Sequence, residues 1–226
     1  RLDGRPLLSG TTAIQLAYTA FVDHAAGAGA VELTRIAFQR PLFTDDRGTE
    51  IEVRFVPAGQ DERYSVRSRL LGAAGDWIEH SSGYAHRVEA APRPVPPLPS
   101  PGDWDRQAAE TSFAGEHVVG GPRWTRMRRT EIERDGVVWR RLELAAEFAE
   151  DLGIFDLHPA LLDGATSVAT RNVGGDAIPH TYDCLRIHAP LAAETYAVAR
   201  LRVAGSASAA DLTMTDAAGR PLVEVE

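Results

Sequence analysis

Residues 158–167, HPALLDGATS, place a carboxyl group at Asp163 within a mostly apolar segment. If Pro159 is the first helical residue, Asp163 lies one turn into the helix, with Ser167 on the same face. Apolar surroundings make the carboxyl costly to ionise, which raises its pKa and suits a general acid. The dipole at the helix N-terminus favours the carboxylate instead. The segment alone therefore leaves two interpretations, a proton donor or a surface aspartate that satisfies a neighbouring group.

Composition excludes several classes of function. The chain has 226 residues, enough for one large domain or two small ones, and its net charge of −8 argues against nucleic acid as a main partner. All 24 basic residues are arginine, which excludes Schiff-base or general-base chemistry on lysine. The single cysteine, Cys184, excludes an intrachain disulfide. We expect it to pack as a buried strand residue in a reducing compartment.

The sequence carries no targeting or cofactor motif. No apolar run reaches the length of about 18 residues that a membrane span needs, and the N-terminus RLDGRPLLSG does not resemble a signal peptide. We therefore expect a cytoplasmic protein. The absence of a P-loop, of G-x-G-x-x-G and of zinc-ligand spacing predicts that no metal or nucleotide cofactor is used. Because the first residue is Arg rather than Met, we expect a fragment of a longer protein or a processed product.

Hydrophobic periodicity divides the chain into two similar halves. Residues 9–24 predict a helix with a Ser/Thr cap, and residues from Val31 to about Ala91 predict strands. Residues 92–104 begin with PRPVPPLPSP, which predicts an extended, semi-rigid linker. The predicted organisation is therefore an N-terminal unit at 1–91, the linker, and a C-terminal unit at 105–226.

The second half repeats the pattern of the first. It predicts a β-hairpin around Asp135-Gly136, a helix over residues 158–171, and the strand segments CLRIHAP, TYAVARLRVAG, ADLTMTD and PLVEVE. Each half thus has one apolar helix and several strands that can wrap it, an α+β pseudo-repeat. The first half lacks strands ahead of its helix, so we expect the natural domain to extend upstream of Arg1.

The segment LHPALLDGATS resembles the second active-site motif of the dehydratase domains of modular polyketide synthases and animal-type fatty acid synthases. That motif reads H-P-x-x-x-D-x-x-x-Q/H and is matched at His158, Pro159 and Asp163. Further resemblances follow in the family's order along nearly the whole chain. They are the first helix with its preceding glycine in RLDGRPLLSGTTAIQLAYTAF, the strand FQRPLF, the W-x-x-H-x-x-G of WIEHSSGY, GGPRW at 120–124 and the closing hairpin DAAGRPLVEVE.

This resemblance implies a double hotdog fold, in which two curved sheets each wrap a central helix, and a homodimer. The implied substrate is a β-hydroxyacyl thioester on the phosphopantetheine of an acyl carrier protein. Asp163 would protonate the leaving hydroxyl, and the backbone N–H near Gly4 would polarise the thioester carbonyl. Aligned on Gly4, the family's histidine base would immediately precede Arg1. None of the seven histidines of the chain has a motif argument for that role.

Around these two catalytic positions we predict a set of substrate-contacting residues. They are Leu7, Ser9, Trp124, His158, Pro159, Leu162, Ser167 and Tyr182. Three positions depart from the family pattern. Ser9 replaces a proline, Ser167 replaces the Gln or His that orients the acid, and Gly120 replaces a tyrosine. The Ser167 hydroxyl is expected to reach Asp163 only at short range or through a water molecule.

Two other functions stay open at this stage. The same scaffold supports double-bond isomerases and pyran-forming cyclases, which tend to lose the proline and often the aspartate, whereas Asp163 is retained here. A non-catalytic, dehydratase-like domain is the third interpretation. The product formed from a β-hydroxyacyl thioester distinguishes a dehydratase from an isomerase or cyclase. The identity of the residue before Arg1 distinguishes these enzymes from a non-catalytic domain.

Overall fold

A single antiparallel sheet of ten strands forms the frame of the molecule. The computed structural model describes residues 1–44, 46–110, 117–170, 180–204 and 207–226. The strands are β1 (Leu7–Leu8), β2 (Ala30–Phe38), β3 (Leu42–Phe43), β4 (Thr49–Ala58), β5 (Asp61–Leu70), β6 (Ile78–Val88), β7 (Arg128–Arg134), β8 (Val137–Glu143), β9 (Thr181–Ile187), β10 (Glu194–Ala204), β11 (Ala207–Thr215) and β12 (Pro221–Val225). The α-helices are α1 (Gly10–His24), α2 (Pro101–Asp105), α3 (Pro122–Thr125) and α4 (Pro159–Thr166), with 3₁₀ turns at Ala146–Gly153 and Ser167–Thr170.

The two halves share this sheet through the pairing of β2 with β9. The strand order is β4-β5-β6-β2-β9-β12-β11-β10-β8-β7, and β1 pairs separately with β3. At the junction Leu33 lies opposite Leu185, and both are fully buried. The hydrophobic faces of the two predicted units therefore form one continuous core.

The predicted second-half strands are present, and both predicted helices form, but the second is α-helical only to Thr166 and continues as a 3₁₀ turn to Thr170. α1 begins after Ser9, whose hydroxyl accepts the backbone N–H of Thr12 at 3.1 Å. α4 begins at Pro159 as expected. The predicted hairpin turns at Asp135 and Gly136, which both have positive φ, 51° and 72°, as a type I′ turn requires. Arg171 and Gly205, at the ends of two predicted segments, lie outside the described residues.

α4 is enclosed by protein on nearly every side. Leu161, Leu162 and Ala165 have no exposed surface. A Cβ atom at Gly164 would lie 2.6 Å from Cε of Met127 and 3.1 Å from Cδ2 of Leu142, so a larger residue would require these side chains to shift. Polar contacts join α1 to the segment ahead of α4, because the buried Gln15 side chain accepts the backbone N–H of Leu157 at 2.6 Å.

The proline-rich segment lies against the last strand through a cluster of charged groups. Residues 92–100 have no regular secondary structure, and Ser100 then caps α2, a short helix at the end of the predicted linker. Arg93 contacts Glu224 through both its backbone and its side chain. Arg186 donates to Glu224 at 2.9 Å and also binds Glu32. Burial alone would raise the pKa of Glu224, yet the Arg93 N–H and these cations hold it below its usual value.

We predict that Glu224→Gln lowers the free energy of unfolding by about 3 kcal/mol, because it removes the carboxylate from a buried set of cations. The side chain of Glu224 is 1% exposed. Glu226→Gln is the matched control, since Glu226 binds the same Arg93 at 2.7 Å but is 42% exposed. It should cost at most about 1 kcal/mol. Urea unfolding of both variants checks this, and equal losses would contradict it.

Candidate active site

Three helices bring their side chains together at the carboxyl group of Asp163. α4 carries Asp163, and α3 carries Trp124, whose indole N–H donates to Oδ2 of Asp163 at 2.7 Å. The side chain of Thr11, in the first turn of α1, makes a second hydrogen bond to this carboxyl. One donor therefore comes from the N-terminal half of the chain and the other from the C-terminal half. Because both donors meet at its carboxyl group, Asp163 is the centre of the candidate site.

Burial raises the pKa of Asp163 from 3.8 to about 6. The hydrogen bonds from Trp124 and Thr11 act in the opposite direction, because both stabilise the carboxylate, but they are the smaller effect. Burial is therefore the dominant effect on this carboxyl, ahead of both hydrogen bonds. The Asp163 residue as a whole is only partly exposed.

Hydroxyl groups extend the site along the start of α1. The Ser9 hydroxyl lies 2.9 Å from the Thr11 hydroxyl and 2.8 Å from that of Thr12. The helix cap and the donor to Asp163 therefore belong to one hydrogen-bond network. On the other side of Asp163, the Tyr182 hydroxyl donates to the Thr166 hydroxyl at 3.2 Å. Burial is the main cause that raises the pKa of Tyr182, and the nearby negative charge of Asp163 raises it further.

Ser167 does not orient Asp163, contrary to our expectation. Its hydroxyl donates to the carbonyl of Gly164 at 3.1 Å and lies 2.8 Å from Nη1 of Arg140. Arg140 is almost fully buried and also donates to the Gly164 carbonyl at 2.9 Å. A buried guanidinium needs acceptors, and the end of α4 supplies them. Ser167 therefore serves the end of the helix rather than the acid.

Several predicted substrate contacts lie behind the site rather than on its surface. His158 and Leu162 have no exposed surface, and Pro159 is buried with them. In this conformation they pack against other side chains and form no surface that a substrate can touch. Nε2 of His158 lies 3.4 Å from Asp151, and burial lowers the pKa of this histidine. His158 thus supports the start of α4.

Gly4 and Leu7 lie near the N-terminus, and no described contact joins either residue to Asp163. Gly4 is exposed in a tight turn between Leu2 and Arg5, with φ of +75°. A positive φ favours glycine at this position. Leu7 pairs with Phe43 between β1 and β3. The roles assigned to Gly4 and Leu7 remain predictions.

Sequence reasoning missed Thr11, Arg140 and Asp151. Thr11 is adjacent to the residues that cap α1, and only the packing of α1 against α4 reveals that its hydroxyl meets Asp163. Arg140 lies in the strand VVWRRLE, where strand alternation places it on the same face as the buried Val138 and Leu142, a signal that could have located it. Asp151 lies in a 3₁₀ turn, seven residues before His158, and its other partner Arg123 is 28 residues away in sequence.

The described residues contain no group of three or more His, Cys, Asp or Glu side chains that is placed to hold a metal ion. No helix among them combines the length and apolar character needed to cross a bilayer.

The sheet that wraps two helices is the fold of double hotdog proteins, and solved dehydratase domains share it. An N-terminal dehydratase from the difficidin assembly line superposes with a TM-score of 0.82, covering 100% of this chain and 85% of that one at 21% identity. The dehydratase domain of RzxB from Pseudomonas fluorescens superposes with a TM-score of 0.79 at 20% identity, and the match covers 100% of this chain and 86% of that one. These likenesses confirm the predicted α+β double hotdog fold and show the fold alone.

The family follows from the sequence comparison. A family model described as the polyketide synthase dehydratase N-terminal domain matches residues 86–226, more than half of the chain. The chain is 31% identical over 245 residues to the spectinabilin polyketide synthase protein NorA' of Streptomyces orinoci, and 28% identical over 243 residues to polyketide synthase GfsE of Streptomyces halstedii. These two alignments cover 100% and 99% of this chain. The chain belongs to the polyketide synthase dehydratase family. It spans only 6% of the length of each of these two relatives.

We predict that Asp163→Asn stabilises the fold, and that the gain over wild type grows as the pH rises from about 4 to about 7. The folded wild type holds a proton on Asp163 up to a pKa of about 6, whereas the unfolded chain releases it near 3.8. Wild-type stability should therefore fall by up to about 3 kcal/mol across this window, and the asparagine variant should lack that loss.

Urea unfolding at several pH values measures the difference between the two proteins. Asp23→Asn is the matched control, because Asp23 lies exposed near the end of α1 and its removal reports the loss of one negative charge. A stability difference that stays constant between pH 4 and 7 would contradict the predicted burial of an acid at Asp163.

Proposed function

We propose that this domain eliminates water from a β-hydroxyacyl thioester carried on an acyl carrier protein and produces an α,β-enoyl thioester. A base removes the proton on the α-carbon, the electron pair forms the double bond, and the bond from the β-carbon to oxygen breaks. Asp163 gives its proton to the leaving hydroxyl, which departs as water. The observation that carries this proposal is a carboxyl that accepts the indole N–H of Trp124 at 2.7 Å and whose pKa burial raises to about 6.

We propose that the base is a histidine that precedes Arg1 in the full protein. Leu2 bridges Val118 in an antiparallel direction, and the carbonyl of Arg1 accepts the N–H of Val119 at 2.9 Å. This pairing places residues 1 and 2 beside the segment that leads to α3, whose Trp124 contacts Asp163. The alignment with the family on Gly4 supports a histidine base ahead of them. The described contacts of Asp163 involve no histidine.

The other components of the proposal follow from the family. We propose that the backbone N–H near Gly4 polarises the thioester carbonyl, a role for which a glycine allows close approach. The chemistry needs an acid and a base, so we propose that no metal or nucleotide cofactor takes part and that the only prosthetic group is the carrier's phosphopantetheine. Neighbouring polyketide synthase domains, a homodimer and a cytoplasmic location complete the proposal.

One observation keeps a related activity as a second candidate. Ser9 occupies the family's proline position, and its hydroxyl joins the network that reaches Asp163 through Thr11. Double-bond isomerases and pyran-forming cyclases on this scaffold tend to lose that proline. The retained acid favours dehydration.

We predict that Asp163→Asn reduces dehydration by about 10²–10⁴-fold, because asparagine has no proton to give to the leaving hydroxyl. A β-hydroxyacyl group is loaded onto the carrier protein and incubated with the full protein. Mass spectrometry then follows the loss of one water from the carrier-bound chain. Near-wild-type dehydration in this variant would contradict the role of Asp163.

Ser167→Ala is the matched control, because it removes a polar group four residues along from Asp163 without changing a described contact of the acid. We expect it to cost much less than Asp163→Asn. If wild type leaves the β-hydroxyacyl chain unchanged but converts an enoyl chain, the isomerase or cyclase replaces the dehydratase. If neither chain is converted, the domain is non-catalytic.

A further inference from the structure

The short helix α3 is fixed in place by an ion pair directly beside Trp124. Arg123 makes two parallel hydrogen bonds to the carboxylate of Asp151, through Nε to Oδ2 and through Nη2 to Oδ1, the latter at 3.0 Å. The guanidinium also lies over the ring of Phe148, 5.0 Å from its centroid. A two-point contact fixes orientation as well as distance. A helix of four residues needs such an anchor, because its own backbone hydrogen bonds are too few to hold it.

The same carboxylate also contacts the start of α4. Oδ2 of Asp151 lies 3.4 Å from Nε2 of the fully buried His158, the residue just before the helix. The Arg123 hydrogen bond is the largest effect that holds the pKa of Asp151 below its usual value, so this group stays ionised. Asp151 therefore connects the segment that carries the indole donor to the helix that carries the acid. The separation between Trp124 and Asp163 depends on this connection.

We propose that Trp124, anchored through Arg123 and Asp151, is the positioning residue that orients the Asp163 carboxyl for proton transfer. This inference rests on the proposed dehydratase function. The residue expected to do this from the sequence, Ser167, is bound to Arg140 and the end of α4 instead. The indole N–H of Trp124 lies 2.7 Å from Oδ2 and is one of the two described donors to the acid.

The chemistry of an indole explains why it suits this position. Its N–H can donate a hydrogen bond but has no lone pair that accepts one. Trp124 can therefore fix the carboxyl without taking up its proton, which stays available for the substrate hydroxyl. Thr11 supplies the second hydrogen bond, so the carboxyl is held from two directions.

The test compares Trp124→Phe with Trp139→Phe in the full protein. The first variant keeps an aromatic ring but removes the donor to Asp163. The second makes the same change on β8, where the buried indole nitrogen has no hydrogen-bond partner in the described part of the chain. Two measurements are made on each variant, the pH titration of the ¹³C-labelled Asp163 carboxyl and the pH dependence of kcat and KM for dehydration.

We expect Trp124→Phe to raise the pKa of Asp163 by about one unit, since a hydrogen bond to a charged group is lost. The alkaline limb of the kcat profile should move upward with it. At its optimum kcat should fall about tenfold with little change in KM, because the acid is less well oriented. Asp151→Asn keeps the shape of the anchor but weakens the ion pair. It should therefore raise the pKa of Asp163 and lower kcat, each by less than Trp124→Phe does. Trp139→Phe should change neither.

The two measurements separate the two proposals. If the pKa and profile of Trp124→Phe equal those of Trp139→Phe, the positioning role is overturned and the dehydratase function stands. If wild type does not dehydrate the substrate, the proposed function fails, and the carboxyl titration alone still shows whether Trp124 controls the acid. A fall in kcat without any shift in the carboxyl titration or the pH profile would reduce Trp124 to a structural role and also overturn the proposal.

Discussion

The burial of one carboxyl group is the constraint around which the rest of the structure is arranged. Asp163 lies on a helix whose neighbouring side chains have no exposed surface, so its ionised form loses most of the hydration it would have in water. The fold offsets part of this cost with donors from Trp124 and Thr11, yet the pKa stays raised to about 6. Complete compensation would leave an ordinary carboxyl group, which loses its proton well below neutral pH. Partial compensation leaves a carboxyl group that keeps its proton to higher pH, as the proposed function requires.

Bringing those donors to one point explains much of the architecture. Thr11 belongs to the first half of the chain and Asp163 to the second, so the two helices must keep a fixed relation. The continuous sheet through β2 and β9 supplies it, and Gln15 adds a buried hydrogen bond between the halves. On the far side of the sheet, charged groups around Glu224 attach the proline-rich segment. These contacts hold the two units as one body around the acid.

The fold was largely predictable from the sequence, and so was the presence of a carboxyl group on the second helix among apolar residues. Periodicity located α1, α4 and the second-half strands, and the Asp135-Gly136 turn followed from its residue types. The partners of the acid were not predictable. Spacing within one helix favoured Ser167, but a buried Arg140 on a neighbouring strand competes for that hydroxyl. The contact between Trp124 and Asp163 joins residues distant in sequence, and only three-dimensional packing determines which donor lies within hydrogen-bond distance of the acid.

The most direct measurement is the pKa of the Asp163 carboxyl in the wild-type protein, obtained from a ¹³C NMR titration and assigned by its absence in Asp163→Asn. The burial described here predicts a midpoint near 6, well above the ordinary value of 3.8. A midpoint near or below 3.8 would show that the donors fully compensate for burial. Asp163 would then carry no proton at neutral pH, and its assignment as the general acid would be contradicted.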